Sequence, residues 1–212
     1  MDINKNYADV ENERVFIESK ISSLIKEIGD IPIANNRIMP YGWRKAAKGR
    51  TVWRIVEEVI SQGLESKANS LGFDSVHPAE SEVGVYDFRF CYHGNKESYV
   101  NIKSSVSGGR TNKDDISKAE GLIDFYHVHP NANLYIATFV ISFKSNMTIG
   151  LDKCYVFPTA WLPDIYVNPS NNGNLQSSHY KDSADAKRRT PGEFAEALAK
   201  ANNIAKAKRR KK

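Results

Sequence analysis

The chain's best candidates for chemistry are Asp87, Asn101 and Lys103, which lie in two short runs of strand-forming residues. Because side chains alternate along a strand, Asn101 and Lys103 share one face of the second run, and its apolar residues share the other. If the two runs pair as a hairpin, Asp87 faces the same side as Lys103. A carboxylate, an amide oxygen and an ammonium in this arrangement can hold Mg²⁺ and orient water for phosphodiester hydrolysis.

The same spacing is typical of an ordinary ion pair between Asp87 and Lys103 on a solvated face. Asn101 is compatible with either interpretation, because an amide can lend an oxygen to a metal ion but brings no charge. Glu97 shares the face, but about four residues of strand, on the order of 13 Å, put it too far from Asn101 to substitute for it. The spacing alone therefore leaves the ion pair and the metal site open.

The elements that must position these residues follow from periodicity and from turn residues. Apolar positions at helical spacing predict helices at 9–29, 51–71, 115–126 and 191–207. Runs of strand-forming residues predict a hairpin from 84–92 and 98–104, further strands at 134–143 and 154–157, a short strand around 37–39, and a strand edge opening into a polar loop at 165–178. Strands in the middle with helices at both ends indicate an α/β or α+β protein.

Length and composition fit one compact unit. With 212 residues, of which 41% are hydrophobic and 26% charged, the chain can bury one sizeable core. It contains no run of eighteen apolar residues and no secretory stretch, so we expect a soluble intracellular protein with no membrane partner. Cys91 and Cys154 have no metal-like spacing and fit a reducing compartment.

Positive charge is concentrated in two regions of the chain. The formal net charge is +5, and its excess lies around residues 44–54 and in the terminal stretch 187–212. Clustered lysine and arginine residues are typical of surfaces that bind polyanions such as nucleic acids. A terminal basic stretch can also serve only as a solubilising tail, and both interpretations stay open.

Several short segments resemble the PD-(D/E)xK nuclease superfamily, and in particular its EcoRV-like type II restriction endonucleases. Residues 86–88 resemble the family's Pro-Asp-Phe, and residues 100–105, Val-Asn-Ile-Lys-Ser-Ser, resemble its Ile-Asp-Ile-Lys-Thr-Thr. Residues 37–42 and 111–113 resemble Lys-Ile-Tyr-Pro-Leu-Gly and Thr-Asn-Lys, and residues 174–182 resemble the segment that follows the family's base-reading loop. These matches stand in the family's order across residues 37 to 182.

The resemblance implies an α/β fold with a central mixed β-sheet flanked by helices. It implies a prokaryotic, cytoplasmic homodimer that cleaves double-stranded DNA within a short palindromic site, with one or two Mg²⁺ ions per subunit, leaving 5′-phosphate and blunt ends. As a single nuclease domain, residues 1–50 would provide the N-terminal helix and dimerisation region. Residues 51–160 would form the catalytic core, and residues 161–212 the recognition loop and basic C-terminal helix.

The resemblance assigns roles to the candidate residues. Asp87 is the principal metal ligand, and Lys103 orients water or stabilises charge. Asn101 stands where the family has its second metal-binding carboxylate. Either the protein is a natural variant that relies on its other carboxylates, or Asn101 is an inactivating change; the sequence does not choose between them.

A helix glutamate is also implied. Matching Gly72 to the glycine that ends this helix in the family brings Glu57 to the glutamate position, with Glu58 as the alternative. At about 100° per residue, Glu57 lies at the border of the apolar stripe and Glu58 on the solvated side, which favours Glu57 as a catalytic and metal-binding residue.

The predicted DNA contacts fall in three segments. The base-reading loop, within 168–178, contributes Asn168, Ser170, Asn171, Asn172, Gly173, Asn174, Gln176 and Ser177. Asparagine and glutamine can pair bidentately with adenine, although such a composition is also common in surface loops. Contacts to phosphate or the minor groove are predicted for Ser104, Ser105 and Arg110, and for the loop before the catalytic aspartate, Glu82, Val83 and Gly84.

Two other functions remain open on this fold. One is a repair nuclease. The other is a catalytically weakened or inactive DNA-binding protein, which the neutral Asn101 allows. His127 and His129 resemble a metal-binding pair, but alternate histidines on a predicted strand edge without a nearby carboxylate or cysteine are more often structural.

Overall fold

A computed structural model describes residues 3–44, 48–81, 84–94, 97–108, 113–178 and 180–210. The helices are α1 (Ile3–Ile28), α2 (Lys48–Ser66), α3 (Ala68–Leu71), α4 (Ala119–Val128) and α5 (Pro191–Arg210). The strands are β1 (Ile31–Pro32), β2 (Ser75–Pro78), β3 (Phe88–Cys91), β4 (Ser98–Val106), β5 (Asp114–Lys118), β6 (Leu134–Phe143), β7 (Thr148–Pro158), β8 (Tyr166–Asn168) and β9 (Asn174–Ser177).

The central sheet has six strands in the order β1-β7-β6-β4-β3-β2. Strands β4 and β6 run parallel, and the other neighbouring pairs are antiparallel. A second sheet of three strands, β5-β9-β8, is antiparallel throughout. The predicted fold class, an α/β protein with a central mixed sheet flanked by helices, is confirmed.

Helices α1 and α2 pack on the central sheet through apolar stripes. Helix α1 contacts β7 and α2 contacts β4, and the two helices also touch each other. Gly63 makes that crossing close, because a Cβ atom at this position would lie 3.3 Å from the Leu24 side chain. The fully buried residues of the two stripes are Ile17, Ile21, Leu24, Val52, Val56, Ile60 and Leu64. Packing of α2 against β4 places the middle of this helix near the candidate catalytic strand.

The predicted elements differ from the structure in several places. The helix predicted at 51–71 is divided into α2 and α3, and the strand predicted at 154–157 is β7, which begins at Thr148. The helix predicted at 115–126 is strand β5 followed by α4, which begins at Ala119. Residues 37–39 form a turn, and the short strand of this region is β1. The segment 165–178 is the β8–β9 hairpin, not an open loop, and β2 was not predicted. Across the ranges that the coordinates describe, no helix is long and apolar enough to cross a membrane.

Candidate active site

Backbone hydrogen bonds hold the Asp87 carboxylate against strand β4. Asp87 directly precedes β3, and its N–H donates to the Val100 carbonyl at 2.8 Å. Its Oδ2 accepts from the Ile102 N–H at 2.5 Å. Since the N–H and C=O of a strand residue point to the same side, the Ile102 carbonyl lies on the same side of β4 as Asp87. The carboxylate therefore lies beside the stretch of β4 that carries the other candidate residues.

Helix α2 brings a second carboxylate to Asp87. The Glu57 side chain is 13% exposed, whereas the neighbouring Glu58 is exposed. Burial and the nearby Asp87 carboxylate raise the pKa of Glu57 to about 7. The positive charges of Lys103 and Arg54 act in the opposite direction. Glu57, rather than Glu58, is therefore the glutamate that the structure places near Asp87.

The Lys103 ammonium belongs to the same group of charges. Burial lowers the pKa of Lys103, and the charges of Asp87, Glu57 and Asp115 oppose this shift. Burial also raises the pKa of Asp87, whereas the hydrogen bond from the Ile102 N–H and the charge of Lys103 lower it. Among the described side chains, no carboxylate oxygen lies within the 4.0 Å of Lys103 Nζ that an ion pair requires. The cross-strand ion pair that the spacing allowed is therefore not formed.

Asn101 is buried and has one unpartnered atom. The residue is 6% exposed. Its Nδ2 donates to the Val85 carbonyl at 2.7 Å. Only the amide nitrogen can donate to a carbonyl, so this bond fixes the orientation of the amide. Its Oδ1 is buried without a hydrogen-bond partner among the described residues. Such an acceptor costs about 1–3 kcal/mol unless something satisfies it.

These oxygen atoms fit a hard cation. The possible donors are the carboxylates of Asp87 and Glu57, the Asn101 Oδ1 and the Ile102 carbonyl, and Mg²⁺ prefers oxygen ligands. In the described ranges, no group of three or more His, Cys, Asp or Glu side chains could hold a metal ion. A cation here would therefore depend on two carboxylates and on neutral oxygens.

Two further charged residues lie near these atoms. Arg54, one helical turn before Glu57, has a side chain 61% exposed, and its Nη1 is 3.8 Å from Glu57 Oε2. Its guanidinium also lies over the Trp53 ring, 4.1 Å from the ring centroid. Asp115 of β5 affects the pKa of Lys103 from a separate sheet. No local pattern predicts the role of Asp115, because its position depends on pairing between distant parts of the chain.

The predicted base-reading segment is a hairpin held by side-chain hydrogen bonds, some within the hairpin and some to Asp115 of β5. Asn168 Nδ2 donates to Gln176 Oε1 at 3.1 Å. Asn171 Nδ2 donates to Asp115 at 3.0 and 2.8 Å, and Gln176 Nε2 donates to the same carboxylate at 2.7 Å. Asn172 has a φ of 49° at the turn, where it is exposed. Hydrogen bonds therefore fix the carboxamides of Asn168, Asn171 and Gln176.

Two members of the predicted reading segment are buried. Ser177 is 0% exposed, and its hydroxyl donates to Asp164 Oδ1 at 2.7 Å. Gly173 is buried, and an added Cβ atom there would collide with the guanidinium of Arg209 on α5. Neither residue can present an atom to a base edge while the hairpin keeps this conformation. Ser170 is exposed, and Asn174 is half-buried.

The other predicted DNA-contacting residues are placed only in part. Ser104 and Ser105 lie in β4 and are half-buried, and Gly84 is exposed in the turn before Asp87. The predicted contacts at Arg110, Glu82 and Val83 lie outside the described residues. The predicted contacts of Ser104, Ser105 and Gly84 with DNA therefore stay predictions.

His127 and His129 lie at the end of helix α4, not on the predicted strand edge. His127 is exposed. The His129 ring packs against the rings of Tyr99 and Phe125, with centroids 5.2 and 5.0 Å apart. His129 therefore packs among aromatic side chains.

Comparisons with known proteins identify no family. No family model matches the sequence, and no curated protein matches it. Among solved structures, the fold is similar to that of the NlaIV restriction endonuclease, with a TM-score of 0.43 and 12% sequence identity over 77% of this chain and 76% of that chain. A similarity of this size carries no argument about function, which has to come from the side chains of the site.

Proposed function

We propose that the protein is a Mg²⁺-dependent endonuclease for double-stranded DNA. One observation carries the proposal: Asp87, Glu57 and Lys103 affect one another's pKa at a place where the buried Asn101 Oδ1 has no partner among the described residues. Charged groups with shifted pKa values and an unsatisfied acceptor are typical of a functional site rather than of a packed core.

The chemistry divides between the cation and the side chains. When bound, Mg²⁺ would stabilise charge on the phosphate and lower the pKa of a coordinated water. Asp87 and Glu57 would hold the ion with charged oxygens, and Asn101 and the Ile102 carbonyl would add neutral ones. The attacking water oxygen would form a bond to phosphorus while the bond from phosphorus to the 3′ oxygen breaks. A second water molecule would protonate the departing 3′ oxygen, leaving a 3′-hydroxyl and a 5′-phosphate.

Lys103 supports this reaction through its Nζ atom. Burial lowers its pKa, so a larger fraction of Nζ is in the neutral form, which can accept a proton from the attacking water, than in an exposed lysine. In the ammonium form, Nζ donates hydrogen bonds that orient the water and stabilise charge on the phosphate. Arg54, exposed beside Glu57, would contact a phosphate of the DNA backbone.

The finer assignment is a type II restriction endonuclease. We propose a homodimer on a short palindromic site, because a twofold axis presents one such centre to each DNA strand. Carboxamides of the β8–β9 hairpin would read base edges, and blunt ends would follow if the two centres act on opposite phosphates. Asn101 favours a second candidate, a DNA-binding protein on the same fold with weakened or absent catalysis, since one charged ligand is missing.

Incubation of the protein with plasmid DNA and Mg²⁺, followed by mapping of the ends, tests the proposal. Discrete fragments with 5′-phosphates support a restriction enzyme, and nicks confined to lesions support a repair nuclease. A salt-sensitive gel shift without cleavage supports the binding protein. If the protein neither cuts the DNA nor shifts it in a gel, all three candidate functions are contradicted.

A further inference from the structure

A chain of hydrogen bonds connects the β8–β9 hairpin to Asp115. Asn168 Nδ2 donates to Gln176 Oε1 at 3.1 Å, and Gln176 Nε2 donates to Asp115 Oδ1 at 2.7 Å. From the turn of the hairpin, Asn171 Nδ2 donates to both Asp115 oxygens, at 3.0 and 2.8 Å. One carboxylate therefore orients two carboxamides that come from different positions along the hairpin.

Strand pairing explains this position of Asp115. Asp115 lies opposite Gln176 in the register of β5 and β9, beside an irregularity between Asp115 and Ser117. Such a bulge redirects a side chain relative to a regular strand. The carboxylate stays exposed to solvent, so the hydrogen bonds are made at the surface of the second sheet, where a ligand could reach the carboxamides.

The orientation of a carboxamide decides what it can read. Asparagine or glutamine pairs with adenine through one N–H donor and one carbonyl acceptor at once, so a rotated amide presents the wrong pattern. Because both amide nitrogens are directed at Asp115, the Asn171 carbonyl points away from it and the Gln176 carbonyl accepts from Asn168. Asp115 thus determines the donor and acceptor pattern of the hairpin.

We propose that Asp115 is a positioning residue that fixes the Asn171 and Gln176 carboxamides and so sets the DNA sequence selectivity of the hairpin. The proposal depends on the proposed function, because it requires that the hairpin meet DNA. Asp115 acts through the carboxamides and does not itself contact the reacting phosphate. The neighbouring Asp114 has different partners, because it accepts from the Tyr180 hydroxyl at 2.9 Å and from Lys181 at 3.0 Å.

Selection from a pool of short duplexes of randomised sequence tests the proposal. The full chain is incubated with the pool in EDTA, so that no DNA is cut, and the bound fraction is sequenced. We expect the wild type to enrich a sequence motif and Asp115→Asn to reduce that enrichment about tenfold, while affinity for the whole pool stays within about twofold. Asp114→Asn removes the same charge from the same strand and should retain the motif.

A second variant separates position from charge. Asp115→Glu keeps the negative charge but moves the carboxylate by one methylene, so a positioning role predicts that the motif is lost here too. Full enrichment by Asp115→Glu overturns the positioning role whatever Asp115→Asn does, because the negative charge alone would then suffice. The proposed nuclease function is left standing by that result. If Asp115→Asn does not fold, as judged by its thermal melting, the Asp115→Glu result alone decides.

The wild-type result distinguishes failure of the inference from failure of the function. A wild type that binds the pool without enriching any motif overturns the role of Asp115 but not DNA binding. A wild type that neither binds the pool nor cuts plasmid DNA overturns the proposed function, and the inference with it.

Discussion

At the scale of single residues, Asn101 is the most informative residue of the site, because its Oδ1 has no partner among the residues that the structure describes and its side chain carries no charge. Its Nδ2 is satisfied by the Val85 carbonyl, whereas its Oδ1 is buried without a partner in the described part of the chain. A carboxylate at this position would add a charged ligand beside Asp87 and lose the hydrogen bond to Val85. Relative to an aspartate, we expect Asn101 to stabilise the structure without metal and to weaken the affinity of the proposed Mg²⁺ site, two effects that can be measured separately.

Asn101→Asp is expected to increase Mg²⁺-dependent cleavage by about 10-fold or more, because a second charged ligand joins Asp87. The same change should lower the melting temperature in EDTA, since like charges are then buried together. Plasmid cleavage and thermal melting across a Mg²⁺ titration check both effects. Asn69→Asp, an equal charge change at an exposed position of α3, is the control. Unchanged or slower cleavage by Asn101→Asp contradicts the idea that Asn101 is an inactivating change.

Glu57→Gln is expected to stabilise the protein above pH 7 in EDTA. The pKa of Glu57 is raised from 4.5 to about 7, so folding favours the protonated form. The stability that the protonated Glu57 contributes to the folded state is fully present below pH 4.5 and is lost as pH rises through 7. Glutamine does not titrate, so the melting temperatures of variant and wild type should agree at low pH and diverge above pH 7. Cleavage should be lost at every pH.

Glu58→Gln is the matched control for this prediction. Glu58 is exposed next to Glu57 on the same helix, so its replacement should leave both the melting profile and the cleavage rate close to those of the wild type. Equal pH profiles for Glu57→Gln and the wild type would contradict the burial of an ionisable carboxyl at position 57.

At the scale of elements, local patterns predict the parts of the site that are close in sequence. The alternation around Lys103 predicts strand β4, and the position of the helical stripe around Val56 is enough to distinguish Glu57 from Glu58. Strand β5 is different, because Ile116, Ala119 and Leu122 also fit helical spacing. Pairing with β9 decides its conformation, so neither the strand nor Asp115 could be predicted locally.

Helix α2 carries Glu57, and Gly63 sets how closely this helix approaches α1. Gly63→Val is expected to destabilise the protein by about 1–3 kcal/mol, because the added carbons meet Leu24 in a packed interface. The displacement of α2 should also lower Mg²⁺-dependent cleavage. Denaturant unfolding and cleavage rates measure the two effects. Gln62→Val, at an exposed position of the same helix, adds the same side chain without the collision and should reproduce neither effect.

At the scale of the whole molecule, the basic end of α5 adjoins the hairpin. Arg209 packs over Gly173 of the hairpin turn, and Lys206 pairs with Glu120 of α4 at 2.7 Å. These contacts place the last turns of α5, which also carry the exposed Lys208 and Arg210, beside the hairpin turn. Phosphate binding by this stretch and a purely solubilising tail predict different effects on DNA binding.

Replacing both Lys208 and Arg210 with glutamine should weaken DNA binding and reduce its salt dependence. The slope of log affinity against log salt is negative, and each lost phosphate contact makes it less steep by about 0.9, so the slope should become less negative by about 2. Gel shifts at several salt concentrations give the slope. Lys26→Gln, which removes an exposed charge from the last turn of α1, should change it little. An unchanged slope in the double variant would support the solubilising tail.

Single-turnover cleavage of plasmid DNA, measured beside DNA binding for the wild type, Asp87→Ala and Lys103→Ala, tests the central claim most directly. The wild type should cut only with Mg²⁺ and leave 5′-phosphates. Lys103→Ala should slow cleavage by about 10²–10⁴-fold, and Asp87→Ala should abolish it, while both still shift DNA in a gel. Cleavage at the wild-type rate by either variant would show that the reaction does not take place at these residues.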